Sequence, residues 1–291
     1  MKRCLNTGMI GVTAGPIETV ELAKKFGFAA CDLSVNAVRE TADAGDQSAE
    51  AAVETARTVA QRMKTLGISP GSCGGIVPGK LSVPEDEWSS AMDDLGERLR
   101  VAGALGFGRT TAVMLPFHEE LPFDQCFTLH VERLKQVAGP LADAGFRLGI
   151  EYVSQKTRRA GYPHEFLYDL DGTLRLLEAV AAPNVGVLLD SFHWFCAEET
   201  VDDVRGLTSE QVVVVHVNDP IEGRSMDEQV AFERELPGAT GIIDLAGLLG
   251  ALRDIGYDGP VTAEPMDKSL NAMADDDAVA ATAAAFESIG M

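Results

Sequence analysis

Val212-Val213-Val214-Val215-His216-Val217 is an unbroken β-branched run carrying one imidazole near its end. A strand with one wet face alternates apolar and polar residues, so a continuous apolar run marks a strand covered on both faces. The same pattern recurs outward in both directions. Strands are expected at 5–12, 29–35, 67–73, 109–115, 147–153, 185–189, Val212–Val217 and Pro260–Ala263. Segments of helical period lie between them at 16–26, 48–66, 84–104, 126–144, 172–182 and 245–255. Pro16 and Pro84 open two of these, where a missing N–H costs nothing, and Asp244 stands as an N-cap. Gly67, Gly106, Gly145 and Gly256 each follow a helix, as residues able to take the left-handed cap conformation.

Eight strand–helix units over 291 residues give about 36 residues per unit, the size of the repeat in a closed barrel. The alternative, an open doubly wound sheet, wants a glycine-rich fingerprint after the first strand. The stretch Gly8-Met9-Ile10-Gly11-Val12-Thr13-Ala14-Gly15 has only scattered glycines. The reading is a single α/β (β/α)8 TIM barrel over 1–291, with no composition break to suggest a second domain. Two connections, 154–171 and 218–241, are longer than a barrel needs. Both follow carboxyl ends of strands, the face where barrels place their sites.

Composition narrows the partners. Lys and Arg number 24 against 45 Asp and Glu, a net charge of −21, and 46 % hydrophobic residues exclude a largely disordered chain. Nucleic acid is not expected, because a phosphate backbone needs Lys and Arg to displace its counterions. Five cysteines, odd in number and without a C-x-x-C pair, are neither a disulfide framework nor a zinc-finger pattern, and suit a reducing compartment. No apolar run reaches the ~20 residues of a membrane span or the length of a signal peptide. A cytoplasmic protein without membrane contact is expected.

The last four strands all finish in a side chain able to bind a metal. The fifth ends Leu148-Gly149-Ile150-Glu151, and the sixth ends Leu188-Leu189-Asp190, followed by Ser191-Phe192-His193. The seventh ends Val214-Val215-His216, and the eighth Val261-Thr262-Ala263-Glu264. Each alone has a plain explanation, a helix N-cap for a carboxylate or a core position for a histidine. Four in succession across one barrel mouth point to a site for one divalent ion. Three oxygen-type ligands and one imidazole suit Mn²⁺, Mg²⁺, Co²⁺ or Zn²⁺.

The pattern Glu151, Asp190-x-x-His193, His216 within His-Val-Asn-Asp and Glu264 within Ala-Glu-Pro resembles the xylose-isomerase-like barrels. It is most similar to the sugar phosphate isomerase/epimerase branch, and Leu236-Pro237-Gly238 to Gly241-Ile242-Ile243-Asp244 resembles it too. The resemblance covers roughly 145–266; the first half matches only in its strand–helix rhythm. It implies that Glu151, Asp190, His216 and Glu264 bind one divalent ion, usually Mn²⁺, and that Glu151 and Glu264 also transfer protons. It implies a substrate-oxygen contact for His193 and a substrate-binding role for Arg224. Thr157 stands where some ketose epimerases place a second glutamate, a departure from simple ketose 3-epimerases.

A proton α to a carbonyl is barely acidic, and a chelating divalent ion stabilises the enediolate left by its removal. Two carboxylates on opposite sides can then take a proton from one face and return one to the other. Return to the same carbon epimerises, and return to its neighbour isomerises. Loss of a β-substituent instead makes a lyase, as in inosose dehydratases or enzymes cleaving 3-oxo-C-glycosides. A non-catalytic metal-binding subunit is a further alternative. Glu264 is followed by Pro265-Met266-Asp267-Lys268, which offers no glycine cradle for phosphate, so an unphosphorylated sugar or sugar acid is expected. Phe192, Trp194 and Phe195 beside His193 could wall a sugar pocket or fill the barrel top. Lys156, Arg158 and Arg159 read as a solvated loop, with carboxylate binding or a neighbouring subunit as alternatives. A homo-oligomer and a small partner subunit both stay open.

DNA-repair endonucleases of the same superfamily share Asp-x-x-His and His-x-Asn-Asp. They need three zinc ions and an Asp-x-His in the loop after the seventh strand. Here Asp227 is followed by Glu228 and Gln229, so that reading is set aside.

Overall fold

The computed structural model describes residues 1–42 and 48–291. Eight parallel strands form a nearly closed barrel with helices between them. They are β1 (Lys2–Leu5), β2 (Ala30–Ser34), β3 (Ser69–Gly74), β4 (Arg109–Met114), β5 (Arg147–Tyr152), β6 (Val185–Asp190), β7 (Val212–Val217) and β8 (Pro260–Ala263). The order around the sheet is β3-β2-β1-β8-β7-β6-β5-β4, with each strand beside its chain neighbour. At the remaining seam β4 pairs with the loop after β3. Val113 N–H donates to the Gly79 carbonyl at 2.8 Å, and Leu81 N–H to the Val113 carbonyl at 3.1 Å.

All six residues of β6 and all six of β7 are buried, as their continuous apolar sequences require. Close strand packing depends on small residues. A Cβ on Gly186 would lie 2.4 Å from the Gln211 carbonyl oxygen, and one on Gly149 would press on Leu188 and Val213 at 3.3 Å.

The expected helices are present, at Pro16–Lys25, Ala49–Leu66, Glu85–Ala104, Phe123–Asp143, Leu170–Val180 and Leu245–Asp254. Asp244 caps the last through a hydrogen bond from Gly247 N–H at 2.8 Å. Gly67, Gly106, Gly145 and Gly256 all take positive φ. A further helix, Asp275–Ser288, follows β8.

The first strand is the correction. It runs Lys2–Leu5, not 5–12, and Gly8–Ile10 is a 3-10 turn. Met9 N–H bonds the Asn6 side-chain oxygen at 3.3 Å, and Gly11 at φ 74° redirects the chain. Ile10 and Val12 are buried from a loop, so their apolar character does not mark a strand.

The two long connections are structured. The first carries a short helix at Lys156–Arg159, and its His164–Glu165 pairs antiparallel with Phe117–His118. The second folds back so that Arg234–Glu235 pairs antiparallel with Asp219–Pro220. Thr157 Oγ1 donates to the Gln229 carbonyl at 2.6 Å, and Lys156 forms an ion pair with Asp227. These contacts strap the two loops together on the face beyond the strand ends. Among the described residues no helix is long and apolar enough to cross a membrane.

Candidate functional site

Parallel register brings the four strand-end residues to one level. Asp190 pairs with His216 and His216 with Thr262, while Glu151 pairs with Leu188, two residues before Asp190. Glu264 directly follows β8. The ligand atoms of Glu151, Asp190, His216 and Glu264 lie within 4.8 Å of one another, and all four residues are buried.

Asp190 has two functions at once. Its Oδ1 accepts Phe192 N–H at 2.8 Å and His193 N–H at 3.1 Å, capping the helix Ser191–Cys196. Its Oδ2 faces the mouth, where it accepts Asn218 Nδ2 at 3.0 Å. His216 Nδ1 is 3.2 Å from Glu264 Oε2.

The cluster also contains a cation that is not among the residues expected from sequence. Arg234, only 4 % exposed, places Nη1 3.1 Å from Asp190 Oδ2 and 3.0 Å from Glu264 Oε2. Its Nη2 is 3.3 Å from His193 Nε2, and its guanidinium lies 4.6 Å over the Phe192 ring. The available signal was its position just before Leu236-Pro237-Gly238, on the ribbon strand that returns beside Asp219–Pro220.

Charge crowding sets the proton affinities. Burial, then the Glu264 and Asp190 carboxylates, push Glu151 up to about 8. Burial also works against the charged Asp190, but Arg234, His193 and His216 together hold it down at about 2. Burial opposes the His216 imidazolium, yet Glu264, Glu151 and Asp190 raise it to about 9. His193 drops to about 3, chiefly through burial, and is neutral. Its Nδ1 faces Ser154 N–H at 3.3 Å while Nε2 faces Arg234. Both neighbours are donors, and a neutral imidazole has one acceptor nitrogen, so only one contact is a hydrogen bond. Assigning Nδ1 as the acceptor leaves an Nε2–H, 3.9 Å from Glu151 Oε1.

The other candidates lie elsewhere. Arg224 pairs with Glu233 at 2.5 Å, outside the carboxylate cluster. Trp194 is buried in the core with Nε1 on the Thr200 carbonyl at 3.3 Å. Thr157 is occupied by the loop strap, and Arg159 lies 3.8 Å over Tyr168.

A cavity of about 670 Å³ opens on the cluster, with Glu151, His216 and Glu264 in its wall together with Glu87, Asp94 and Arg98. A second space of about 470 Å³ adjoins it through Met9, Gly74, Thr111 and His216. Arg98 is already tied to Asp94 at 2.7 Å and to the Gly75 carbonyl at 2.6 Å.

The residues fit a divalent ion. Three carboxylates and an imidazole converge, and Glu151 Oε1 is buried without a hydrogen-bond partner, an acceptor that a cation would satisfy.

The sequence model for the family described as xylose isomerase-like TIM barrel matches residues 20–289. Inosose isomerase of Bacillus subtilis is 26 % identical over 164 residues, 55 % of this chain and 54 % of that protein. Ketose 3-epimerase of Arthrobacter globiformis is 29 % identical over 136 residues, 47 % and 42 % of the two chains. The match thus spans about half the length of these curated relatives, or less. A xylose isomerase domain protein from Alicyclobacillus acidocaldarius superposes with a TM-score of 0.84 at 28 % identity, covering 99 % of this chain and 98 % of that one. The IolI protein, in a crystal structure with a bound zinc atom, superposes with a TM-score of 0.79 at 19 % identity over 99 % and 98 % of the chains.

Proposed function

The chain belongs to the xylose isomerase-like TIM barrel family, and from that premise we propose a divalent-metal-dependent isomerase or epimerase acting on a ketose or related polyhydroxy ketone. The observation that carries this reading is the pair Glu151 and Glu264. They come from different strands into one buried cluster with Asp190 and His216.

Glu151, Asp190, His216 and Glu264 would hold the ion, and Mn²⁺ is the ion we assign, with Zn²⁺ its competitor. Bound there, the ion would supply Lewis-acid polarisation of a substrate carbonyl. The chain supplies the rest. One glutamate removes the proton α to the carbonyl, and the other returns a proton from the opposite side. His193 Nε2–H donates to the substrate oxygen beside the reacting carbon. Arg234 is the cation of the cluster: it balances Asp190 and Glu264 in the structure described, and its guanidinium would be the group available to a substrate oxygen once an ion takes that place.

The substrate is unphosphorylated on this reading, because Arg98, the cation in the cavity wall, is committed to Asp94. Elimination is the second outcome of the same glutamate pair, and the adjoining space beside His216 has room for a leaving group.

The test is incubation of metal-loaded protein in D₂O with inososes, ketoses and 3-oxo glycosides, read by NMR. Deuterium should enter a carbon α to the carbonyl. Turnover with every C–H retained would replace proton transfer by a hydride shift and overturn the reading.

A further inference from the structure

We propose that Arg159 is a positioning residue: it holds Ser154 so that the His193 imidazole carries its proton on Nε2 and can only donate to a substrate oxygen. The proposal rests on the reading that His193 contacts substrate, and it extends that reading to the loop that sets the ring's proton. The oxygen addressed must then be an acceptor, as a carbonyl or enediolate oxygen is.

The contacts begin at the ring. His193 is buried, with Ser154 N–H 3.3 Å from Nδ1 and Arg234 Nη2 3.3 Å from Nε2. A donor faces each nitrogen, so an imidazolium, with N–H groups on both sides, does not fit. In the neutral ring one donor is satisfied and the other is not. Ser154 N–H is backbone, in a wholly buried residue just beyond β5, and cannot turn away. Arg234 keeps Asp190 and Glu264 through Nη1, and the Ala231 carbonyl through Nε, even when Nη2 has no acceptor in the ring. A proton on Nδ1 would set two N–H groups against each other at 3.3 Å. On Nε2 it lies near Glu151 Oε1, 3.9 Å away and without a hydrogen-bond partner. Ser154 is itself clamped from the loop. Its hydroxyl donates to the Tyr168 carbonyl at 2.5 Å, and its carbonyl accepts Arg159 Nε at 3.2 Å. The Arg159 guanidinium also lies 3.8 Å over the Tyr168 ring. Arg159 therefore ties residue 154 to residue 168, the two ends of the first long connection, around the peptide that faces the imidazole.

The test is NMR of ¹⁵N-histidine-labelled, metal-free protein without substrate, where the shifts of the two ring nitrogens show which carries the proton. The His193 signals are assigned by their loss in His193→Gln. Wild type should show the Nε2–H form. Arg159→Met and Ser154→Ala each loosen the clamp, and signal from the Nδ1–H form should appear in both. Arg159→Lys keeps a cation over Tyr168 and should restore the wild-type spectrum in part. In metal-loaded Arg159→Met, kcat for an inosose or ketohexose should fall about tenfold with KM nearly unchanged, less than the 10²–10³-fold typical of losing such a donor outright. A wild-type ring protonated on Nδ1 would overturn the proposal. An unchanged Nε2–H ring in the folded variants would overturn it too, even with activity lost, because Arg159 would then act only on the loop. If one variant fails to fold the other decides, and failure of both overturns the proposal, since the contacts would then be structural. The spectra need neither metal nor substrate. Absence of turnover by wild type would therefore remove the isomerase reading, and is distinguishable from a failure of the proton assignment.

Discussion

Arg234 shows how one side chain can decide the state of a site. Its guanidinium stands between two buried carboxylates, and removing one partner of such an arrangement leaves uncompensated charge, at a typical cost of about 3–5 kcal/mol. Arg234→Met should therefore lower the melting temperature of metal-free protein. Added Mn²⁺ or Zn²⁺ should restore more stability to the variant than it adds to the wild type; an equal metal-induced rise in both would contradict the competition. His130 carries a separate, pH-dependent expectation. It is buried, with Nδ1 2.8 Å from the Cys126 carbonyl, and burial lowers it from 6.5 to about 4. Between those values the unfolded chain binds more protons, so this contribution is complete above pH 6.5 and is lost as pH falls toward 4. His130→Leu should remove about 2 kcal/mol of the stability lost between pH 7 and pH 5, measured by urea unfolding at both. The strand-end residues were legible in the sequence because each closes an apolar run. Arg234 was not, because its approach to Asp190, 44 residues away, depends on a ribbon folding back.

At the scale of elements, the strand–helix alternation was readable because burial on both faces imposes continuous apolar runs and the helices carry their own caps. The exception is informative. Ile10 and Val12 are as apolar as strand residues, but Gly8, Gly11 and the Asn6 side chain make a turn there, and tertiary burial of a loop leaves no periodic trace. The seam between β3 and β4 is equally silent in sequence, since it is closed by backbone bonds from 79–81. The barrel also needs close strand approach at β6. In Gly186→Ala the new methyl would meet the Gln211 carbonyl oxygen at 2.4 Å, a backbone atom that cannot swing aside. Overpacking of this kind costs about 1–3 kcal/mol, and chemical denaturation should show at least that loss. Unchanged stability would mean that β6 and the 211 backbone part without cost.

For the whole molecule, the barrel gathers groups from four consecutive strands into one acidic mouth, in a chain whose net charge is −21. Cations drawn to that mouth gain from the field of the whole protein, whereas anionic substrates are opposed by it. The central claim is that the glutamates both hold the ion and move the proton, while Asp190 holds the ion and caps a helix. Gln in place of Glu keeps one oxygen for a metal and loses the carboxylate that takes a proton. The most direct measurement is metal content together with solvent-deuterium exchange in Glu151→Gln and Glu264→Gln, beside wild type. Both variants should retain metal in part while turnover falls by about 10²–10⁴-fold or more, the usual contribution of a general acid or base. One of the two should still exchange the substrate proton without forming product, which identifies the glutamate that starts the reaction. A fully metallated Glu264→Gln that turns over at the wild-type rate would contradict the account.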